Sequence, residues 1–114
     1  MSGYKINIEN KTTTNKYYRN VLNTTPQMQL VVMSIKNDIP MEKHTNITQF
    51  IKIEKGTGFI IIDDKKYKIK NGDCVVIPPN TLHYIKNTGK EPLKLYSIYT
   101  PPQHKNLHID KIQL

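Results

Sequence analysis

From Gln27 onward, short apolar runs alternate with turn-forming residues at intervals of about eight to twelve residues. That spacing predicts a sandwich or barrel of short strands. Gln27 to Lys36 is rich in Leu, Val and Met and reads as a mostly buried strand. Gln49 to Lys55 alternates, placing Gln49, Ile51 and Ile53 on one face and Phe50, Lys52 and Glu54 on the other. Gly56-Thr57-Gly58 breaks that run. Phe59 to Ile62 is β-branched and aromatic, and Asp63-Asp64 opens a hairpin turn from which Tyr67 and Ile69 lead out. Asn71-Gly72-Asp73 turns the chain again. Cys74 to Ile77 reads as a short buried strand closed by Pro78-Pro79-Asn80. His83 to Lys86 is a further strand, Asn87-Thr88-Gly89 a further turn, and Leu93 to Tyr99 alternates until Pro101-Pro102. No stretch as long as an ordinary helix carries a helical period, so any helix is short and near the N-terminus. The expected class is all-β.

The 114 residues suit one domain. Residues 1–20 are polar and rich in Asn and Thr, which predicts a loose lead-in; a barrel is expected over 21–108 and a tail over 109–114. Cys74 is the single cysteine, so no intrachain disulfide framework is expected. No apolar run opens the chain, which predicts no signal peptide, and a run such as Phe59–Ile62 is far too short to span a membrane. A cytoplasmic location is the expectation. The net charge of +8 comes from 17 basic and 9 acidic residues, and every basic residue except Arg19 is lysine. Such a balance raises nucleic acid as a partner. The lysines are scattered, however, and arginine, the main reader of bases and phosphates, is nearly absent. They read as a solvated surface, and nucleic acid is not the expected partner.

Glu42, His44, Gln49 and His83 carry candidate chemistry. Glu42 and His44 stand at i and i+2, so on an extended strand both project from one face. Gln49 has the opposite parity, and a turn or bulge between Thr45 and Thr48 must reset it. It then shares a face with Ile51 and Ile53. His83 follows the Pro78-Pro79-Asn80 corner and shares its parity with Ile85. A barrel wall can bring the four side chains to one interior point. Imidazole and carboxylate suit Mn, Fe, Zn, Ni or Co, and an amide oxygen adds a harder neutral ligand. One Glu and two His around a divalent ion leave a formal charge of about +1, which favours an anionic or chelating oxygen substrate. Taken singly, each histidine reads as a surface or capping residue rather than a ligand.

Two stretches resemble a small single-domain cupin. In the frame of the first cupin motif, G-x5-H-x-H-x3,4-E-x6-G, stand Lys36 in place of the first glycine, then Glu42-x-His44, four residues, Gln49, six residues and Gly56. The second, G-x5-P-x-G-x2-H-x3-N, is met by Gly72-x5-Pro78-x-Asn80-x2-His83-x3-Asn87. Asn80 replaces a glycine there, and Asn is the other residue that readily takes the left-handed conformation. The C-terminal Pro92–Pro102 stretch with a following His resembles a cupin-2, mannose-6-phosphate-isomerase-like subgroup of RmlC-like proteins. The resemblance implies a double-stranded β-helix, or jelly roll, and a homodimer formed by exchange of a segment around Val21 to Ile35. It implies a divalent transition metal on Glu42, His44, Gln49 and His83, although Glu42 and Gln49 depart from the common His and Glu. The implied activity concerns a small polar metabolite, sugar-like or with carboxylate or carbonyl groups, through isomerase-like, hydrolytic or dioxygenase chemistry. A non-catalytic small-molecule-binding module on the same barrel is the alternative.

Met41, Ile51, Ile85 and Tyr96 are candidates to line the pocket. Tyr84 and Tyr99 lie on strands as well and read as core or rim packing. His104 and His108 follow Pro102, on the surface or in a tail folded over the barrel mouth. Cys74, Met28, Met33 and Met41 read as core filler, with Met41 also a pocket candidate because it precedes Glu42, and Lys43 is expected to point outward.

Overall fold

Alternation along the chain builds two antiparallel sheets that face each other across one apolar core. The structure is a computed structural model that describes residues 2–104 and 108–113. Met1 of the expected lead-in, residues 105–107 of the expected barrel range and Leu114 of the expected tail lie outside the described residues. The strands are β1 (Arg19–Thr24), β2 (Gln29–Ile35), β3 (Asp38–Glu42), β4 (Thr48–Lys55) and β5 (Thr57–Ile62). They continue as β6 (Lys65–Lys70), β7 (Cys74–Ile77), β8 (His83–Asn87), β9 (Leu93–Thr100) and β10 (Ile109–Asp110). One sheet runs β10-β1-β2-β9-β4-β7 and the other β3-β8-β5-β6. Each strand turns alternate side chains inward. Along β4 these are Gln49, Ile51 and Ile53; along β9, Leu93, Leu95, Ser97 and Tyr99; along β8, His83, Ile85 and Asn87. Val31, Ile35, Ile51, Ile60 and Leu93 are fully buried between the sheets. Burial of such a side chain contributes about 1.5–3 kcal/mol, so the core holds the two layers together.

Several elements differ from the sequence reading. The segment 1–20, expected to be a loose lead-in, holds α1 (Ile8–Thr14), a short helix near the N-terminus, where the sequence reading allowed one. Asn7 caps it by accepting from the Asn10 N–H at 3.0 Å, and Thr12 is fully buried. At about two turns such a helix depends on tertiary packing, here against the outer face of β2, β4 and β9. β1 begins at Arg19, inside the expected lead-in, and β10 lies in the expected tail 109–114 and pairs with β1. β3 contains Pro40, which hides it from a strand reading; as an edge strand it tolerates the missing donor. Gly58 lies inside β5 rather than breaking the chain before it. A Cβ there would sit 2.2 Å from the Lys86 carbonyl oxygen of β8, so the close approach of these strands requires glycine.

β7 is a strand as read from the sequence, but it is an edge, with Cys74 and Val76 exposed and only Ile77 fully buried. Met33 is core, whereas Met28 is exposed. The segment around Val21 to Ile35 pairs within this chain, β1 on β2 and β2 on β9. No helix among the described residues is long and apolar enough to cross a membrane.

Candidate metal centre

β3 and β8 pair so that Glu42 lies opposite His83 at the end of the smaller sheet. His44 stands beyond β3, in the loop leading to β4, rather than on the strand itself. That loop turns through Asn46 at φ 58°, which resets the face before Gln49 enters the larger sheet. Asn80 holds the loop in place. It adopts φ 62°, donates its N–H to the His44 carbonyl at 3.0 Å, and accepts from the Asn46 N–H at 3.1 Å. The residue standing where the second motif has glycine thus positions a loop that carries a candidate ligand.

His44 Nε2 and His83 Nε2 lie 3.3 and 3.4 Å from the same oxygen, Glu42 Oε1. Among the described residues, Glu42, His44 and His83 form one group with a ligand atom from each, all within 4.8 Å of one another. The distances are those of ion pairs, but the alignment makes no hydrogen bond, and both Nε2 atoms are buried with no hydrogen-bond partner among the described residues. His83 Nδ1 lies 3.0 Å from the Thr81 carbonyl, which can only accept, so Nδ1 carries the proton. In the tautomer with its proton on Nδ1, the Nε2 of His83 turns a bare lone pair on a carboxylate oxygen. Lone pair against lone pair needs a proton or a cation between them. Burial pushes the Glu42 pKa upward, but close contact with His44 and His83 and their charge outweigh it and hold it at about 2. Glu42 is an anion near neutral pH.

Gln49 lies inside the barrel on β4. Its Nε2 donates to Ser97 Oγ at 3.1 Å and to the Tyr99 hydroxyl at 3.2 Å, both on β9. This uses the amide's two protons and leaves Oε1 buried with no partner. Tyr99 is buried and its ring meets the His44 edge, with centroids 5.5 Å apart. Burial, then the Glu42 charge, pushes its pKa upward, so it stays a neutral phenol.

Ile51 and Ile85 occupy the next inward positions beyond Gln49 and His83 and are fully buried. Met41 is exposed and lines a cleft of about 320 Å³ together with Glu42. Tyr96, expected in the pocket, is on the outer face instead. It shares its parity with Lys94 and Ile98, packs 6.2 Å from the Phe50 ring, and lines a separate outer cleft with Tyr4 and Ile8. Tyr84 also faces outward and donates to Asp38 at 2.9 Å. Lys43 is exposed. The sequence reading left His104 open between surface and mouth, and the structure folds it over the mouth. Gln29 accepts from its backbone N–H at 2.8 Å, and its ring meets Tyr99 at 5.1 Å. Arg19 and Asp110 were not singled out; nothing in the local sequence marks an ion pair across the length of the chain.

The pattern of the cupin domain family matches residues 29–99. The chain belongs to the cupin family. It is 42% identical over 113 residues to an uncharacterized protein of Acanthamoeba polyphaga mimivirus, covering 94% of this chain and 71% of that one. It is 38% identical over 109 residues to the uncharacterized protein YrkC of Bacillus subtilis, and there it spans 89% of this chain but 59% of the relative. The crystal structure of BH2720 from Bacillus halodurans superimposes with a TM-score of 0.94 at 34% identity, over 96% of this chain and 89% of that one. KdgF from Halomonas shares the fold at 17% identity, with a TM-score of 0.73 over 90% and 96% of the two chains. The jelly-roll fold expected from the two motifs is thus the fold of this cupin, with a Glu/His/His group that can hold a metal.

Proposed function

We propose that this cupin is a metal-dependent protein acting on a small polar metabolite, with a divalent transition ion held by Glu42, His44, His83 and the Gln49 amide oxygen. One observation carries the reading. Two buried Nε2 atoms without hydrogen-bond partners face one carboxylate oxygen, an arrangement that a divalent cation resolves. The donor set fits such an ion: two imidazoles and one carboxylate, with the orphaned Gln49 Oε1 as a neutral oxygen. Thr81, bound to His83 Nδ1, and the Ser97–Tyr99 pair, bound to Gln49, are the outer partners that orient ligands in metal sites.

When bound, such an ion supplies Lewis-acid polarisation of a carbonyl or hydroxyl oxygen. The chain's own residues define the rest. Glu42 stays ionised, Tyr99 stays protonated, and a cleft lined by Met41, Glu42 and Arg19 opens beside them. This suits isomerase-like or hydrolytic chemistry on a sugar-like or carboxylate- and carbonyl-bearing compound. A cytoplasmic homodimer remains part of the reading, and light scattering in solution tests the dimer.

The test of the centre is metal content by mass spectrometry on tag-free protein beside a His44→Ala/His83→Ala double variant. Near-stoichiometric Mn, Fe, Co, Ni or Zn is expected in the wild type, and its loss in the variant. A wild type that is empty and takes up none of these ions ends the metal reading and leaves a non-catalytic binding module.

A further inference from the structure

Five buried side-chain atoms lack hydrogen-bond partners among the described residues: Arg19 Nε, His44 Nε2, Gln49 Oε1, His83 Nε2 and His104 Nε2. The metal reading uses His44, Gln49 and His83. It does nothing for Arg19 and His104, and each buried polar atom left unserved is destabilising.

Both residues sit at the barrel mouth. Arg19 shares its parity on β1 with the buried Val21 and lines the same cleft as Glu42. Its Nη1 donates to Asp110 at 2.7 Å, and its guanidinium lies 5.2 Å from the Tyr18 ring. With Nη1 engaged, the edge formed by Nε–H and Nη2–H is left, and that edge takes a carboxylate side-on. His104 is tied to Tyr99 on one side. On the other it stacks on His108 at 6.4 Å, and His108 contacts Asp110 at 2.9 Å. A continuous wall therefore runs from His44 through Tyr99, His104, His108 and Asp110 to Arg19. Burial, then the charges of Arg19 and His44, lowers the His104 pKa to about 4. The ring is neutral at pH 7 and has one N–H to donate.

We propose that Arg19 and His104 form a carboxylate subsite at the mouth. Arg19 Nε–H and His104 Nε2–H donate to the acid group of a small 2-hydroxy or 2-oxo acid whose remaining oxygens face Glu42, His44 and His83. This rests on the metal reading for the orientation of the acid, and on Arg19 and His104 alone for its capture. It makes both positioning residues for substrate, and it makes His104 part of the wall of the site.

Arg19 is the single arginine of the chain, so its Nε–H gives one side-chain signal that needs no assignment. The test titrates lactate, and its neutral isostere lactamide, into ¹⁵N-labelled protein, metal-free and zinc-loaded. Lactate is expected to shift the Arg19 signal to saturation and lactamide to leave it unmoved. His104→Phe is expected to weaken lactate about tenfold, the loss of one charge-assisted hydrogen bond, with metal content unchanged. An Arg19 signal indifferent to lactate in both preparations overturns the proposal. So does equal response to lactamide, or inorganic phosphate displacing lactate at lower concentration. The two readings fail separately: a protein that binds no metal but whose Arg19 signal saturates with lactate keeps the subsite and loses the centre, and the converse result does the reverse.

Discussion

At the Gly58 end of the barrel, Asn87 is buried and its whole side chain is served. Its amide nitrogen donates to the carbonyls of Ile35, Lys36 and Glu91 at 2.9–3.1 Å, and its oxygen accepts from the Gly89 N–H at 2.8 Å. At the other end, His83 starts the same strand with the same inward parity, yet its Nε2 has no partner, and four further buried atoms around the mouth share that condition. Both ends bury polar groups in one barrel. The difference is that Asn87 closes a turn, whereas the mouth presents donors and acceptors that no group among the described residues satisfies. Burial alone does not mark a functional group; burial with unmet hydrogen bonding does.

The comparison breaks most visibly at the closed end. Asn87→Ala leaves three carbonyls and one N–H without their partner and is expected to lower stability by about 3 kcal/mol. Chemical denaturation checks this, and metal content per folded molecule should not change. If metal is lost as well, the two ends are not independent.

A smaller effect is expected at Asn80. Asn80→Ala puts a residue with no stabilising side chain at φ 62° and removes the acceptor for Asn46, a loss of about 1–2 kcal/mol. Because this turn holds the His44 loop, metal affinity should fall with it. Asn80→Gly relieves the backbone and should lose less stability; equal losses in both would mean that the conformation of this turn contributes little.

The smallest effect concerns pH. His104 has a folded-state pKa of about 4 against an ordinary 6.5, so the unfolded chain takes up the proton first. Its contribution is fully present above about pH 6.5 and drains away as the pH falls toward 4. The melting temperature should drop across that window more steeply in the wild type than in His104→Phe. Parallel pH profiles would show that His104 is not packed against Tyr99 in solution.

Much of the site was legible because the second motif encodes geometry locally. Gly72 has φ 91°, Asn80 φ 62°, and His83 and Asn87 follow at spacings that put both inside. The spacing of Glu42, His44 and Gln49 likewise led to one interior region once a turn was placed between them, and the turn is at Asn46. Tyr96 and Tyr99 were harder to separate. Their opposite parity was visible, but which face of β9 looks inward depends on α1 covering the outer one. The lead-in carried too weak a pattern to show that helix.

The sequence by itself determined the strands with clean alternation, the β class, the turn residues and the candidate ligands, because these depend on spacings of a few residues along one chain. Only the tertiary structure decided that Arg19 faces Asp110 across 91 residues, that His104 lies on Tyr99, and that Tyr96 points away. Those facts follow from which strands are neighbours and which face is covered. Both are settled by the burial of the whole core rather than by any local run of residues.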